Sequence, residues 1–138
     1  MTTIALSQNG ITPFQQLLGH HKDILEKWIA LDKSFFSSDT FSAELKEEVR
    51  RVLAFNNGCE YCMAKGIPSE NIMDLRIRLA TWLADASTKK THIDDHEFSK
   101  IKKEFTDGEI SELLAYICFM TACQRFGALL NLEPSCQI

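Results

Sequence analysis

Apolar residues in this chain recur three and four positions apart, and nowhere does an alternation of period two persist. That spacing lays an apolar stripe along one side of an α-helix and fits no strand, so the fold reads as all-α. Phe14, Leu17, Leu18, His21, Ile24, Leu25, Trp28 and Leu31 form the first run, and Leu45, Val49, Val52 and Leu53 the second. Leu75, Leu79, Trp82 and Leu83 form another, and Ile110, Leu113, Leu114, Ile117, Met120 and Thr121 make a wide face near the end. Helix-start signals stand where runs begin. Thr12-Pro13 with Gln15, Asp94 with Glu97, and Thr106 with Glu109 each have the form of a capping box. Ser42 is placed to cap the second helix.

Asn56-Asn57-Gly58 and Gly66-Ile67-Pro68 read as breaks, with a helix between them from Gly58 to Gly66. Ser69 and Glu70 are expected to start the helix that ends near Ala86, and the last helix is expected from Asp107 to Leu130. The pattern gives about six to seven helices. Phe35 to Thr40 reads as a loop and residues 1–11 as a flexible arm. With 138 residues, one domain over 1–138 is the natural count.

Within this frame one stretch brings reactive side chains together: Glu47 to Gly66, EEVRRVLAFNNGCEYCMAKG. Cys59 and Cys62 form a Cys-x-x-Cys pair, and two cysteines three apart lie on one helix face, close enough for a disulfide. At a helix start the unpaired N–H groups favour a thiolate, the nucleophile that attacks peroxides and disulfides. Its sulfenic acid or mixed disulfide is then resolved by the second sulfur. Two other readings fit the same spacing. The pair is also a zinc half-site, which would need His92 and His96 from far along the chain, or it is simply two core-filling cysteines. Glu47 is a candidate general base. With Glu44 and Glu48 it also fits a solvated acid favoured by the helix dipole.

Composition narrows the function classes. A net charge of −4 with no basic run argues against nucleic-acid binding. No apolar stretch is long enough for a bilayer and the first ten residues do not resemble a signal peptide, so a cytoplasmic setting, where thiols stay reduced, is expected. Five cysteines fit catalytic and buried thiols better than a disulfide framework. Cys118 and Cys123 fall in the last apolar face and read as packing, and Cys136 as an exposed thiol in a tail. His20 and His21 sit on or beside the first stripe and read as hydrogen-bonded core or interface residues.

The spacing of Glu47, Cys59 and Cys62, the phrase NGCEYC and the run FTDGEISELLAYICFMTACQRF resemble the alkyl hydroperoxidase D and carboxymuconolactone decarboxylase superfamily. The resemblance covers most of the chain from Leu45 onward. It implies an alkyl hydroperoxidase D-like helical bundle assembled as a homo-oligomer, a trimer or hexamer. It also implies a thiol-dependent peroxidase or disulfide reductase, with Cys62 attacking peroxide, Cys59 resolving it and Glu47 as base. The partners implied are a peroxide and a thiol or lipoyl-type donor, with no cofactor and no metal. Ring-lactone decarboxylation is the superfamily's other activity, and it needs no dithiol.

The family's peroxidases usually carry a histidine four residues after the second cysteine, and some carry one between the cysteines. Here those positions are Gly66 and Tyr61. In an antiparallel helix pair turning at Asn56-Asn57-Gly58, Glu47 and Gly66 are each eight residues from the turn, about 12 Å of rise, and so sit at similar heights. Glycine then leaves a gap that a water or another side chain must fill. A chain that kept the disulfide but lost the relay would instead be a redox sensor or scaffold.

Overall fold

The computed structural model describes residues 1–134. They form seven helices: α1 (Pro13–Leu18), α2 (Lys22–Ser37), α3 (Ala43–Asn57), α4 (Glu60–Met63), α5 (Leu75–Lys89), α6 (Asp95–Glu104) and α7 (Asp107–Leu129). Among the described residues there is no strand, and no helix is long and apolar enough to cross a membrane. The core is the seam where α3, α5 and α7 meet, closed at one end by α6. Val49 and Leu53 of α3, Ala80, Leu83 and Ala84 of α5, Ile101 of α6 and Leu113 and Ile117 of α7 are all at most 1% exposed. Burying each large side chain of this set contributes about 1.5–3 kcal/mol. The alanines of α5 let α3 approach it closely.

The capping signals largely act as read. Thr12 and Gln15 form a complete capping box on α1, as do Asp94 and Glu97 on α6. Ser42 caps α3. The third box is half made. Thr106 accepts from the Glu109 N–H at 3.2 Å, but the Glu109 carboxylate turns away to pair with Arg76 of α5, which joins α5 to α7 instead.

Several boundaries differ from the sequence reading, each for a local reason. The first apolar run is two helices, because the chain breaks at Gly19 and His21 becomes the N-cap of α2, its Nδ1 accepting from the Ile24 N–H at 3.2 Å. His21 is therefore exposed and belongs to no core. His20 reaches back to the Ala5 carbonyl at 2.6 Å. The first eleven residues are tied to the body: Thr3 N–H donates to Leu130 O at 2.9 Å and Ser7 N–H to Gln16 O at 3.0 Å. α2 continues through Phe35 to Ser37, so the loop before α3 is shorter than read. α4 is a single turn, and α5 starts only at Leu75, capped by Asp74, because Ser69 is used elsewhere. Cys118 lies on the outer side of α7 and is exposed, against the expectation of packing. Cys136 lies outside the described residues.

Candidate active site

The end of α3 places the cysteines. Gly58 takes φ +65° and its N–H turns back to Ala54 and Phe55 carbonyls, while the Cys59 N–H also reaches Ala54 O at 3.2 Å. The chain reverses in two residues and Cys59 becomes the N-cap of α4. The Cys62 N–H points back at Cys59 Sγ, 3.3 Å away. Cys59 and Cys62 are joined in a disulfide with a Cα separation of 5.2 Å, inside the usual range for such a bond. The two sulfurs are not equivalent. Cys59 is completely buried, whereas Cys62 is half-buried and lines a cavity of about 250 Å³.

Leu18, Leu25, Trp28 and Met120 give this cavity apolar walls, and Asp32, Arg50 and Lys65 supply its charge. A second cavity, of about 610 Å³, shares Asp32, Arg50, Lys65 and Met120 with the first and is lined by Glu47 and Tyr116. Cys123 also lines the first cavity. Trp28 Nε1–H donates to its sulfur at 3.2 Å, and burial pushes its pKa up to about 11, so it stays a neutral thiol.

Arg50 is the residue that connects Glu47 to the cysteines, and the sequence reading missed it. Its Nε and Nη2 hold Glu47 by a two-pronged pair at 2.8 and 2.7 Å, and its Nη1 donates to the Cys62 carbonyl at 2.9 Å. Arg51 Nε adds a third donor to Glu47 at 3.1 Å. The Arg50 hydrogen bonds above all, with both positive charges, hold the Glu47 carboxyl below its ordinary value. A carboxylate stabilised in this way is a weak proton acceptor at neutral pH. It also lines the second cavity and not the one that Cys62 lines. Glu48, expected in solvent, is buried, and accepts from Ser69 N–H at 3.0 Å and from Arg51 Nη1 at 3.2 Å. One partner, Arg51, is on α3 itself and the other, Ser69, comes from the segment after α4.

The gap expected beside Gly66 is filled. α4 ends before that residue, so position 66 does not continue the face of the cysteines. Gly66 takes φ +144°, and a Cβ built there would lie 2.9 Å from Arg51 Nε. Backbone and space thus both disfavour a histidine, and the Arg51 side chain lies where its Cβ would be. Gly66→Ala should lower stability by about 1 kcal/mol, the low end for a strained residue because this loop and the arginine can both shift. Urea unfolding of the two proteins measures it, and equal midpoints would contradict the geometry.

Gln124 was also missed. It is fully buried on α7 and lines the first cavity. Its Oε1 accepts from Asn57 Nδ2 at 3.0 Å and its Nε2 donates to the Arg50 carbonyl at 3.1 Å. The amide therefore ties the last turn of α3, and with it the Gly58 reversal, to α7.

No protein-family model, curated protein or solved structure matches this chain. Among the described residues, no three His, Cys, Asp or Glu side chains group closely enough to hold a metal ion, so His92 and His96 do not complete a zinc site with the cysteines. The arrangement offers a reducible sulfur pair, with one sulfur reachable from a charged cavity and the other sealed behind it.

Proposed function

We propose that the protein is a thiol-dependent peroxidase or disulfide reductase of the alkyl hydroperoxidase D type that works through Cys59 and Cys62. The observation that carries this reading is the disulfide itself, with Cys62 opening on a cavity and Cys59 sealed. In the reduced protein the Cys62 thiolate attacks the outer oxygen of a hydroperoxide. The O–O bond breaks, an alkoxide leaves and takes a proton to become the alcohol, and Cys62 is a sulfenic acid. The Cys59 thiol then attacks Cys62 Sγ, releasing water and forming the disulfide. A thiol or lipoyl-type donor supplies two electrons and two protons to restore the dithiol.

The guanidinium of Arg50 beside Cys62 favours the thiolate, in place of a histidine relay. Glu47 then positions Arg50 and does not itself take the proton. Assembly as a homo-oligomer is part of the same reading. It is supported by Ile24, Leu31 and Phe36, which lie along α2 at 47, 46 and 85% exposure.

The assignment of roles is tested with Cys59→Ser, reduced and treated with one equivalent of peroxide and a sulfenic-acid trap. Mass spectrometry should find the trap on Cys62. Labelling confined to Cys118 or Cys123 would exclude Cys62 as the attacking thiol. A redox sensor is the second reading, favoured by the clamped state of Glu47, which is a weak proton acceptor for repeated cycles. A decarboxylase of the carboxymuconolactone type would keep its activity in the Cys59→Ser/Cys62→Ser double variant.

A further inference from the structure

Arg50, Asp32 and Lys65 are the charged groups of the cavity beside Cys62, and among the described residues only Arg50 is in an ion pair. Asp32, from α2, and Lys65, from the segment after α4, make no ion pair with any described residue. Both line both cavities, and each acts on the other's charge without closing a pair. Lys65 lies over the Tyr61 ring instead, its Nζ 4.5 Å from the centroid. Both side chains keep solvent access, so the apolar walls desolvate them from one side only. That is still enough to raise the Asp32 carboxyl above its ordinary value and to lower the Lys65 ammonium.

The charges decide among ligand types. With Arg50 already paired to Glu47, a simple anion drawn to Lys65 would meet the Asp32 carboxylate, and a simple cation drawn to Asp32 would meet Lys65. A neutral apolar molecule would cover both charges and pair neither. A ligand with one charge of each sign satisfies both at once. The volume of about 250 Å³ suits a compact molecule.

We propose that this cavity binds a small thiol carrying both an ammonium and a carboxylate, the ammonium at Asp32 and the carboxylate at Lys65, and that this thiol reduces the Cys59–Cys62 disulfide. The proposal rests on the redox reading of the cysteine pair. The bound thiol, as thiolate, attacks Cys62 Sγ, the accessible sulfur. The Cys59–Cys62 bond breaks and Cys59 leaves as a thiolate that takes up a proton, which gives a mixed disulfide on Cys62. A second molecule of the thiol attacks the ligand sulfur of that mixed disulfide and releases Cys62. Two thiols are oxidised to one small disulfide, and the protein gains two electrons and two protons.

The test measures the rate of disulfide reduction in the full chain, by alkylation and mass shift, with three probes at equal thiolate concentration: cysteine, 3-mercaptopropionate, which lacks the ammonium, and cysteamine, which lacks the carboxylate. Dithiothreitol serves as an uncharged reductant. Cysteine should exceed each single-charge probe by about threefold, the scale of a solvent-exposed ion pair. Asp32→Asn should erase its lead over 3-mercaptopropionate and keep its lead over cysteamine. Lys65→Gln should do the reverse. Each comparison is a ratio within one protein, so a general loss of stability does not mimic it. Equal rates for the three probes, with dithiothreitol still reducing the pair, would overturn the proposal and leave the redox reading standing. A pair that not even dithiothreitol reduces would overturn both.

Discussion

Arg50→Met should slow the reaction of the reduced protein with peroxide by about tenfold at pH 7. The Arg50 guanidinium donates to the Cys62 carbonyl and lines the cavity that Cys62 lines, which places its charge beside that residue. A unit charge at about 5 Å is worth roughly 3 kcal/mol at an effective dielectric of about 20. Solvent access at Cys62 and the remaining charge of Lys65 reduce that, and about 1.4 kcal/mol suffices for a tenfold change in the thiolate fraction. Methionine keeps the unbranched apolar stem of the side chain and removes the charge and the fork.

Alkylation of reduced Cys59→Ser protein reads the same quantity directly. In the Arg50→Met background it should be about tenfold slower at pH 7 and should recover at alkaline pH, where the thiol ionises unaided. Arg50→Lys should fall between, since it restores a charge but not the two-pronged hold on Glu47. Identical pH profiles with and without Arg50 would show that the guanidinium does not activate the thiol.

Gln124→Leu should destabilise the fold by about 2 kcal/mol, although leucine fits the volume and is more apolar. The cost lies on the partner. Asn57 is 9% exposed, and its amide loses its acceptor. The Arg50 carbonyl suffers less, because it keeps its bond within α3. A second change, Asn57→Leu, removes the orphaned amide, so the double variant should cost less than the sum of the two single ones. Urea midpoints with unchanged slopes provide the comparison. Strict additivity would mean that the two amides do not act as a pair.

The helices were legible because apolar spacing and capping residues agree along most of the chain. The break at Gly19 was not, since Leu17, Leu18, His21 and Ile24 keep the same spacing across it, and only the lone glycine interrupts the run. α4 ends at Met63, three residues short of the Gly66 break that the sequence does show. Spacing within the segment does not encode that earlier end.

The cysteine pair itself could be read from three-residue spacing. Its electrostatics could not, because arginines on a helix surface default to solvent in any sequence reading. One signal was nevertheless present: Arg50 and Arg51 stand three and four residues after Glu47, where side chains meet on a helix. Gln124 offered another, as a lone amide on an otherwise apolar helix, which has to find partners wherever it is buried. Asp32 and Lys65 share their cavities only through the packing of α2 against the segment after α4, and nothing local in the sequence announces it.

The central claim is that Cys59 and Cys62 cycle between dithiol and disulfide as peroxide is consumed. Peroxide loss in the presence of excess dihydrolipoamide, followed in parallel for the wild-type protein and Cys62→Ser, tests it most directly. The account predicts many turnovers per wild-type protein and none above background for Cys62→Ser. A wild-type protein that consumes one equivalent of peroxide and then stops, or a Cys62→Ser protein that matches it, would contradict the claim.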